Sequence, residues 1–423
     1  MATAQSSFKN MLQAFQDVRK FTNQITAGLS PEDCGLQSMD DASPIRWHLA
    51  HTTWFFEAFV LNHEADYKEF HPDFNFLFNS YYNSIGELFP RGNRGMISRP
   101  GLDEIRRYRN YVDDQIEQRL SKPDLAEKYQ NILEVGLNHE QQHQELILTD
   151  IKHGLAANPT FPSFHDKEIS LGSSDQPSSE WQSLSKGLYK AGHAKTDFCF
   201  DNELPRHDSY LHDFSISKSL VTCKMYMEFM EDGGYRDPQH WLSLGWSAVN
   251  EHGWESPLYW RQVDGQWHTF TLAGLVPVNP DWPVCHVSYF EADAFARWAG
   301  HRLPTEFEWE AACELSLESA EDDVVGSQFA DALLANQQAI HPTKSSGGLL
   351  GGLWQWTSSS FAAYPGYQPP AGALGEYNGK FMCNQYVLRG GSVATSSSHI
   401  RPSYRNFFPA GTRWQFSGIR LAK

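Results

Sequence analysis

The spacing of apolar residues over the N-terminal part of the chain predicts a series of helices. Apolar side chains recur every three or four residues, which is the repeat of an amphipathic helix. The second helix is predicted to open with Ser43 as its N-cap and Pro44 at its first helical position. The four predicted helices span residues 8–25, 44–59, 102–120 and 125–153. Together they predict a four-helix bundle whose core can house a site.

A long segment between the second and third helices, residues 66–99, is rich in Asn, Gly, Pro and aromatic residues. It is predicted to be a loop, and loops of that length inside a compact domain are usually functional. Glycine and proline then interrupt the helical pattern between His153 and Pro162. We place a domain boundary there, which divides the chain into residues 1–160 and 161–423.

The pattern changes after the boundary. From about Ile169 the chain shows short strand-like runs, many Gly and Ser residues and frequent Trp. Helical periodicity stands out only over residues 289–300 and 306–313. The second domain is therefore predicted to be α+β with much irregular structure, which makes the chain a multidomain protein of the α and α+β classes.

Charge and composition narrow the classes of function. The 423 residues carry a formal charge of −17, which argues against non-specific nucleic-acid binding and fits a protein acting on small molecules. No run of 18 apolar residues predicts a membrane span, and the first residues show no signal-peptide pattern. The six cysteines are scattered without a C-x-x-C pair. We expect a cytoplasmic protein.

Candidate metal chemistry lies on the fourth predicted helix. His139 and His143 are four residues apart, so they share one helix face at a spacing that suits two imidazole ligands of one metal ion. The same stretch matches H-E-x-x-H, the zinc-protease signature, in which Glu140 would be the general base. The longer metzincin pattern fails, because Leu146 and Thr149 stand where it needs Gly and His. The alternative without a metal is that the two histidines lie on a solvent-exposed helix face.

The second predicted helix carries two more histidines, His48 and His51, among apolar residues. A histidine in such surroundings is usually a core residue. Beside an H-x-x-x-H helix in the same bundle, however, one of the two would complete a three-histidine face. Such a face leaves coordination positions open for substrate and oxygen. The spacing does not decide which of the two histidines it is.

Five motifs of the C-terminal half resemble the successive motifs of the formylglycine-generating-enzyme fold, which is related to C-type lectins. They occur in that family's order and span residues 201–207, 283–288, 302–310, 353–358 and 388–392. The activity of that family is not implied. Its members place a copper-binding cysteine pair just after R-G-G-S, whereas residues 393–399 here contain no cysteine.

The N-terminal half resembles DinB-like metal-binding bundles, with His51, His139 and His143 on that family's three-histidine site. A DinB-like bundle joined to a formylglycine-generating-enzyme-like domain resembles the iron(II)-dependent sulfoxide synthases of ergothioneine biosynthesis. The resemblance implies Fe(II) as cofactor and O2 as co-substrate. It also implies hercynine (Nα-trimethylhistidine) and a thiol, cysteine or γ-glutamylcysteine, as the small-molecule substrates.

The same resemblance assigns roles to residues near the histidines. Gln142 matches a glutamine that contacts hercynine. Tyr81 and Tyr82 match a tyrosine pair, found in the cysteine-using branch, that donates a proton or hydrogen bond during the oxygen chemistry. A phenol, whose usual pKa is about 10, can do this without prior ionisation. Taken without the resemblance, two adjacent tyrosines are packing residues.

Further matches concern the amino-acid parts of the substrates. Arg91 and Arg94 match arginines that hold the carboxylate of the thiol substrate, as a guanidinium fork can do bidentately. Asn406 matches the residue that binds the amino-acid part of hercynine, within a segment that closes the pocket. The aromatic faces of Phe407 and Phe408 can stabilise the quaternary ammonium by about 0.5–2 kcal/mol.

The thiol donor is inferred from two positions. The branch that uses γ-glutamylcysteine has an aspartate where this chain has Phe408, and Tyr81-Tyr82 is typical of the cysteine-using branch. Free cysteine is therefore favoured. The alternatives are γ-glutamylcysteine and the selenosugar of the selenoneine-forming relatives. Two alternatives belong to other classes of function. One is a zinc hydrolase built on H-E-x-x-H, and the other is a pair of non-catalytic binding modules.

Overall fold

A computed structural model describes residues 2–165, 169, 180–195, 197–318, 328–344 and 348–423, without the side chains of residues 2–10, 123, 124 and 126. The chain falls into two compact units. The first unit runs to Ala157 and also contains Ala371–Tyr377, a short segment from far along the chain. The second unit comprises Asn158–Pro370 and Asn378–Lys423.

The first unit is helical. Its helices are α1 (Ala2–Thr26), α2 (Ile45–Phe59), α3 (Phe74–Phe78), α4 (Leu102–Leu120) and α5 (Pro123–Ala156). The four long helices confirm the predicted bundle, and their apolar faces form its core. Pro123 opens α5, as expected for a residue that lacks an N–H and has a fixed φ. Among the described residues no helix is both long and apolar enough to cross a membrane.

The predicted start of α2 is wrong in its details. The helix begins at Ile45, Pro44 precedes it, and no side chain caps it. Ser43 is engaged elsewhere: its hydroxyl accepts a hydrogen bond from Arg94 Nη1 at 2.9 Å, and its N–H donates to Asp150 at 2.8 Å. Tertiary contacts thus use the groups that the local pattern had assigned to capping.

The predicted loop between α2 and α4 has structure of its own. It contains α3 and a 3-10 helix over Arg91–Met96. Phe74 and Phe78 are four residues apart and both are buried, which explains why this one turn of α-helix forms. The loop therefore packs on the bundle with its own apolar residues.

The described residues of the second unit form eleven strands. They are β1 (Trp181–Leu184), β2 (Gly187–Ala191), β3 (His207–Leu211), β4 (Phe214–Ser217), β5 (Trp260–Val263), β6 (Gln266–Thr271), β7 (Gly274–Pro277), β8 (Trp354–Ser360), β9 (Gln385–Arg389), β10 (Asn406–Pro409) and β11 (Ser417–Gly418). The largest sheet has the order β10-β9-β8-β11, in which only the β8–β11 pair is parallel. The pairs β1–β4 and β2–β3 and the meander β5-β6-β7 complete the described strands.

In the described part of this unit five α-helices lie among these strands, although the sequence predicted two. They are α6 (Cys223–Glu231), α7 (Ser243–His252), α8 (Tyr289–Trp298), α9 (Glu306–Glu318) and α10 (Ala330–Ala335). The three that were missed, α6, α7 and α10, have nine, ten and six residues. Length alone does not explain the miss, because α8, which was predicted, also has ten residues. The α+β class was predicted correctly.

The fold motifs of the second unit meet in a buried ion cluster. Arg389 lies fully buried and donates to Glu306 at 2.8 Å and to Glu310 at 2.9 Å. The next residue, Gly390, has a φ of +102°, and a Cβ there would lie 2.6 Å from the carbonyl oxygen of Leu349. R-G-G-S and P-T-E-F-E-W-E are thus two halves of one packing arrangement, which explains why they identify the fold.

Candidate metal centre

Three histidines of the first unit converge at one point. His51 comes from α2, and His139 and His143 come from successive turns of α5. Each offers a ring nitrogen, and these atoms all lie within 4.8 Å of one another. All three side chains are buried. The cluster could hold a metal ion, and its third member is His51 and not His48.

Hydrogen bonds orient the imidazole of His51. Its Nδ1 lies 2.6 Å from the carbonyl oxygen of Phe78. Because a carbonyl oxygen only accepts, Nδ1 carries the proton and the lone pair is on Nε2. That Nε2 faces His139 Nε2 at 3.1 Å. The lone pair of His51 thus points at the shared position.

His143 is oriented through a second histidine. Its Nδ1 lies 2.8 Å from Nδ1 of His48, whose Nε2 lies 3.1 Å from Oδ2 of Asp150. All three side chains are buried. Sequence spacing alone could not distinguish His48 from His51. In the structure His48 lies outside the triad and contacts His143.

The three histidines are held in the neutral state that binds metal. Burial lowers the pKa of His139 to about 3. Burial, followed by the neighbouring imidazoles of the cluster, lowers the pKa of His51 and of His143 well below the usual range. At neutral pH all three rings therefore keep a lone pair.

The residues present fit a divalent first-row metal ion. Three neutral imidazoles form a nitrogen-only donor set of the kind that suits iron, zinc, copper or nickel. Nε2 of His139 faces Nε2 of His51 and is its candidate ligand atom, whereas its Nδ1 is buried without a hydrogen-bond partner in the described part of the chain. Three protein ligands leave further positions open.

Glu140, the acid of the H-E-x-x-H pattern, does not face this centre. It is fully buried and bonded to Arg19 at 2.8 Å, to Thr22 at 2.6 Å and to Arg109. Burial by itself would raise the pKa of Glu140, but Arg109 and Arg19 outweigh it and lower the pKa to about 2. The carboxylate is a structural ion held by two guanidinium groups. This arrangement does not suit a general base.

We therefore expect Glu140→Ala to act on stability. Removing Glu140 from this buried ion cluster leaves Arg109 without an ion pair among the described residues and leaves Arg19 paired with Asp113 alone, which costs about 3–5 kcal/mol. Urea unfolding of the two proteins measures the difference. Glu127→Ala, an exposed position on the same helix, is the matched control and should change the free energy of unfolding by less than about 0.5 kcal/mol. A stable Glu140→Ala protein would contradict the structural role.

The phenols of Tyr81, Tyr82 and Tyr377 form a cluster near the triad. Tyr81 and Tyr82 lie 4.6 Å apart between ring centroids, and Tyr377 lies 6.1 Å from Tyr81 and 5.9 Å from His139. Tyr82 is fully buried against Trp54 and other aromatic side chains. Burial, then the phenols of Tyr81 and Tyr377, raises the pKa of Tyr82 well above 10. Its hydroxyl stays protonated.

Gln142 contacts this tyrosine cluster. The hydroxyl of Tyr377 donates to its Oε1, which joins α5 to the segment Ala371–Tyr377. That segment is also held by Glu376, whose carboxylate accepts from the N–H of Asn83 at 3.1 Å and from the N–H of Ser84 at 3.0 Å. The loop that carries the tyrosine pair and the segment that carries Tyr377 are thus tied together.

Arg94 is a buried guanidinium without a carboxylate partner among the described residues. It is 4% exposed and donates to the hydroxyls of Ser43 at 2.9 Å and Ser80 at 3.0 Å. Its Cζ lies 3.4 Å from the ring centroid of Trp47, and that ring stacks on His51 at 4.5 Å. Burial, then the charge of Arg91, lowers the pKa of Arg94 to about 9. An anionic ligand would compensate this charge.

The remaining predicted residues are placed differently. Arg91 is exposed and donates to the carbonyl oxygen of Asp41. Asn406, Phe407 and Phe408 belong to the second unit, where they form strand β10 opposite β9. Phe407 stacks on Phe361 at 4.0 Å. The roles of these four residues in substrate binding stay predictions.

The sequence patterns predict no role for Tyr377, Glu376 or Asp150. Tyr377 and Glu376 lie more than 230 residues from their partners along the chain, so no local sequence pattern could predict these contacts. Asp150 did carry a signal. It follows His143 by seven residues, which is about two helical turns, and so lies on the same face of α5.

Comparison with known proteins agrees with this architecture. The sulfatase-modifying factor enzyme 1-like domain family matches residues 173–423, and the DinB superfamily matches residues 14–147. The chain is 36% identical over 248 residues to a hercynine oxygenase of Mycolicibacterium thermoresistibile, covering 54% of this chain and 55% of the relative. It is 38% identical over 247 residues to the hercynine oxygenase of Mycolicibacterium smegmatis, covering 52% and 55%.

An ergothioneine biosynthesis protein of Schizosaccharomyces pombe is 26% identical over 285 residues, covering 64% of this chain and 34% of that protein. The chain thus spans about half the length, or less, of the curated relatives that it matches. The family match covers more than half of this chain and contains the motifs around the Arg389 ion cluster. The chain belongs to the sulfatase-modifying factor enzyme 1-like family and carries a DinB-superfamily bundle ahead of that domain.

Proposed function

We propose that the protein is a non-haem iron(II)- and O2-dependent sulfoxide synthase of ergothioneine biosynthesis. It joins hercynine to cysteine and yields hercynylcysteine sulfoxide. The observation that carries the proposal is the convergence of His51, His139 and His143 in the bundle. The similarity to two hercynine oxygenases supports the choice of reaction.

The proposed reaction balances with the named reactants alone. The C2–H bond of hercynine and the S–H bond of cysteine break, and a C–S bond forms. One oxygen atom of O2 is added to sulfur, and the other leaves as water with the two hydrogens. Iron(II), when bound by the three histidines, supplies the redox chemistry and open positions at which the reactants are held side by side.

The protein's own groups orient the reactants and supply a proton. Gln142, which lies beside His143 on α5, is proposed to contact hercynine. Tyr81 and Tyr82 are proposed as donors of a proton or hydrogen bond to the reacting oxygen. The position of the Tyr81, Tyr82 and Tyr377 cluster beside His139 supports this role. Burial raises the pKa of Tyr82, which makes the phenol a weaker acid and favours donation of a hydrogen bond over full proton transfer.

Arg94 is proposed to bind the carboxylate of the thiol substrate, with Arg91 as its neighbour in the loop. The buried charge of Arg94, lacking a carboxylate among the described residues, supports this role. An anion brought by the substrate would form charge-assisted hydrogen bonds with a guanidinium that is already positioned by two serines and Trp47.

Arg94→Met should therefore raise the KM for cysteine by about 10- to 150-fold. A lost hydrogen bond to a charged group costs about 1.5–3 kcal/mol, and each 1.4 kcal/mol is tenfold. The KM for hercynine should change much less. Arg107→Met, an exposed arginine of α4, is the control. Equal effects on both KM values would exclude a specific contact with the thiol substrate.

The thiol donor defines the main alternative, in which γ-glutamylcysteine replaces cysteine. Phe408 favours cysteine because it stands where the γ-glutamylcysteine branch has an aspartate. The selenoneine-forming relatives share the architecture and differ in their selenium donor. A zinc hydrolase is disfavoured by the pairing of Glu140 with Arg19 and Arg109.

Product analysis tests the proposal. The purified protein is loaded with Fe(II) without oxygen and then supplied with hercynine, O2 and an equimolar mixture of cysteine and γ-glutamylcysteine. Mass spectrometry should find hercynylcysteine sulfoxide as the main product. The γ-glutamyl product would identify the alternative donor. No O2 uptake with iron, together with peptidase activity with zinc, would overturn the proposed function.

A further inference from the structure

His48 lies between the carboxylate of Asp150 and the imidazole of His143, a candidate metal ligand. Asp150 Oδ2 lies 3.1 Å from His48 Nε2, and His48 Nδ1 lies 2.8 Å from His143 Nδ1. None of the three side chains is more than 8% exposed. These three residues come from two helices. Asp150 and His143 lie on one face of α5, and His48 lies on α2. We call Asp150 and His48 the relay.

The chemistry of each group defines the direction of the hydrogen bonds. A carboxylate oxygen accepts, so His48 carries its proton on Nε2 and has a lone pair on Nδ1. Nδ1 of His48 must then accept, so His143 carries its proton on Nδ1. That leaves the lone pair of His143 on Nε2, the nitrogen remote from the relay.

The position of Asp150 is itself held by the backbone. The N–H of Ser43 donates to Asp150 Oδ2 at 2.8 Å, just before α2 begins. The oxygen that accepts the hydrogen bond from His48 is therefore also held by the backbone segment just before α2. A ring held in this way cannot turn without breaking the hydrogen bonds at both of its nitrogens.

We infer that Asp150 and His48 are positioning residues that hold His143 in the tautomer and orientation needed to bind a metal ion through Nε2. The inference rests on the proposed metal site and adds residues beyond its three ligands. Partners of this kind usually change metal affinity by about 10- to 100-fold when they are removed.

Metal titration separates the relay from simple packing. His48→Phe keeps a ring of similar size and removes both hydrogen bonds. His48→Gln can still accept from His143 through its amide oxygen and donate to Asp150 through its amide nitrogen. The affinity for Co(II) is measured without oxygen from its visible absorption, and thermal melting of the metal-free proteins reports on folding. His153→Gln is the matched control, since His153 lies on α5 and bonds to Ser38 instead.

We expect His48→Phe to bind Co(II) about 10- to 100-fold more weakly, and His48→Gln and His153→Gln to bind it within about threefold of the wild type. Unchanged affinity in His48→Phe, or an equal loss in His48→Gln, would overturn the relay. The wild type is compared with His139→Ala first. If these two bind Co(II) equally, the metal site itself is refuted; if they differ, only the relay is at stake in the His48 variants.

A second measurement needs no folded variant of His48. In the metal-free wild type with 15N-labelled histidine, long-range proton–nitrogen NMR correlations report which ring nitrogen carries the proton. We expect His143 to be protonated at Nδ1 and His48 at Nε2 at neutral pH. Protonation of His143 at Nε2 would overturn the inference even if every His48 variant failed to fold.

Discussion

His139→Ala is expected to abolish iron binding and turnover, and the same holds for His51→Ala and His143→Ala. Each substitution removes one of three neutral nitrogen donors whose ligand atoms lie within 4.8 Å of one another. Loss of a partner outside the ligand set typically costs 10- to 100-fold in affinity, so loss of a ligand should cost more than about 100-fold. The two remaining imidazoles would not retain the metal through gel filtration.

The measurement is the iron content after anaerobic loading and gel filtration, followed by O2 uptake with both substrates. His63→Ala is the control, because His63 is exposed and lies just after α2. Thermal melting shows whether each variant still folds. Full activity in any one of the three variants would refute the ligand set.

Tyr82→Phe is expected to lower sulfoxide formation by about 10²- to 10⁴-fold and to divert the reaction towards simple thiol oxidation. General acid catalysis contributes about that much, and the substitution removes only the hydroxyl. The ring of Tyr82 packs against Trp54 and Phe59, and phenylalanine would keep that packing. A change in products would therefore report on the proton and not on the fold.

Mass spectrometry of the products tests this, with Tyr81→Phe and the double variant in parallel. Tyr111→Phe removes a phenol that bonds to the carbonyl oxygen of Lys68 and serves as the control. Unchanged product ratios in both single variants and the double variant would remove the tyrosine pair from the mechanism. Tyr377→Phe should then be tested next, since its ring contacts His139.

The bundle could be predicted because its helices are long and amphipathic. The predicted helix over residues 102–120 has the same bounds as α4, and residues 125–153 lie within α5. The motifs of the second domain identified its fold, since residues such as Arg389 and Glu306 pair in the buried core. The helices α6, α7 and α10 were not predicted; helices of six to ten residues depend mainly on tertiary packing for their stability.

The start of α2 shows how tertiary contacts override a local pattern. Ser43 followed by Pro44 is a good capping signal, yet the Ser43 hydroxyl accepts from Arg94 and its N–H donates to Asp150. Both partners are more than 50 residues away along the chain. A capping rule considers only neighbours within one turn, so it could not foresee this competition.

The sequence alone determined that His139 and His143 form a pair, since a spacing of four residues puts two rings on one face of any helix. Spacing could not choose between His48 and His51, nor say whether Glu140 faces the same way. Only the tertiary structure places His51 in the triad, His48 behind His143, and Glu140 between Arg19 and Arg109. The physical reason is that a sequence repeat determines which face a residue occupies, whereas its partners depend on which helices pack against that face.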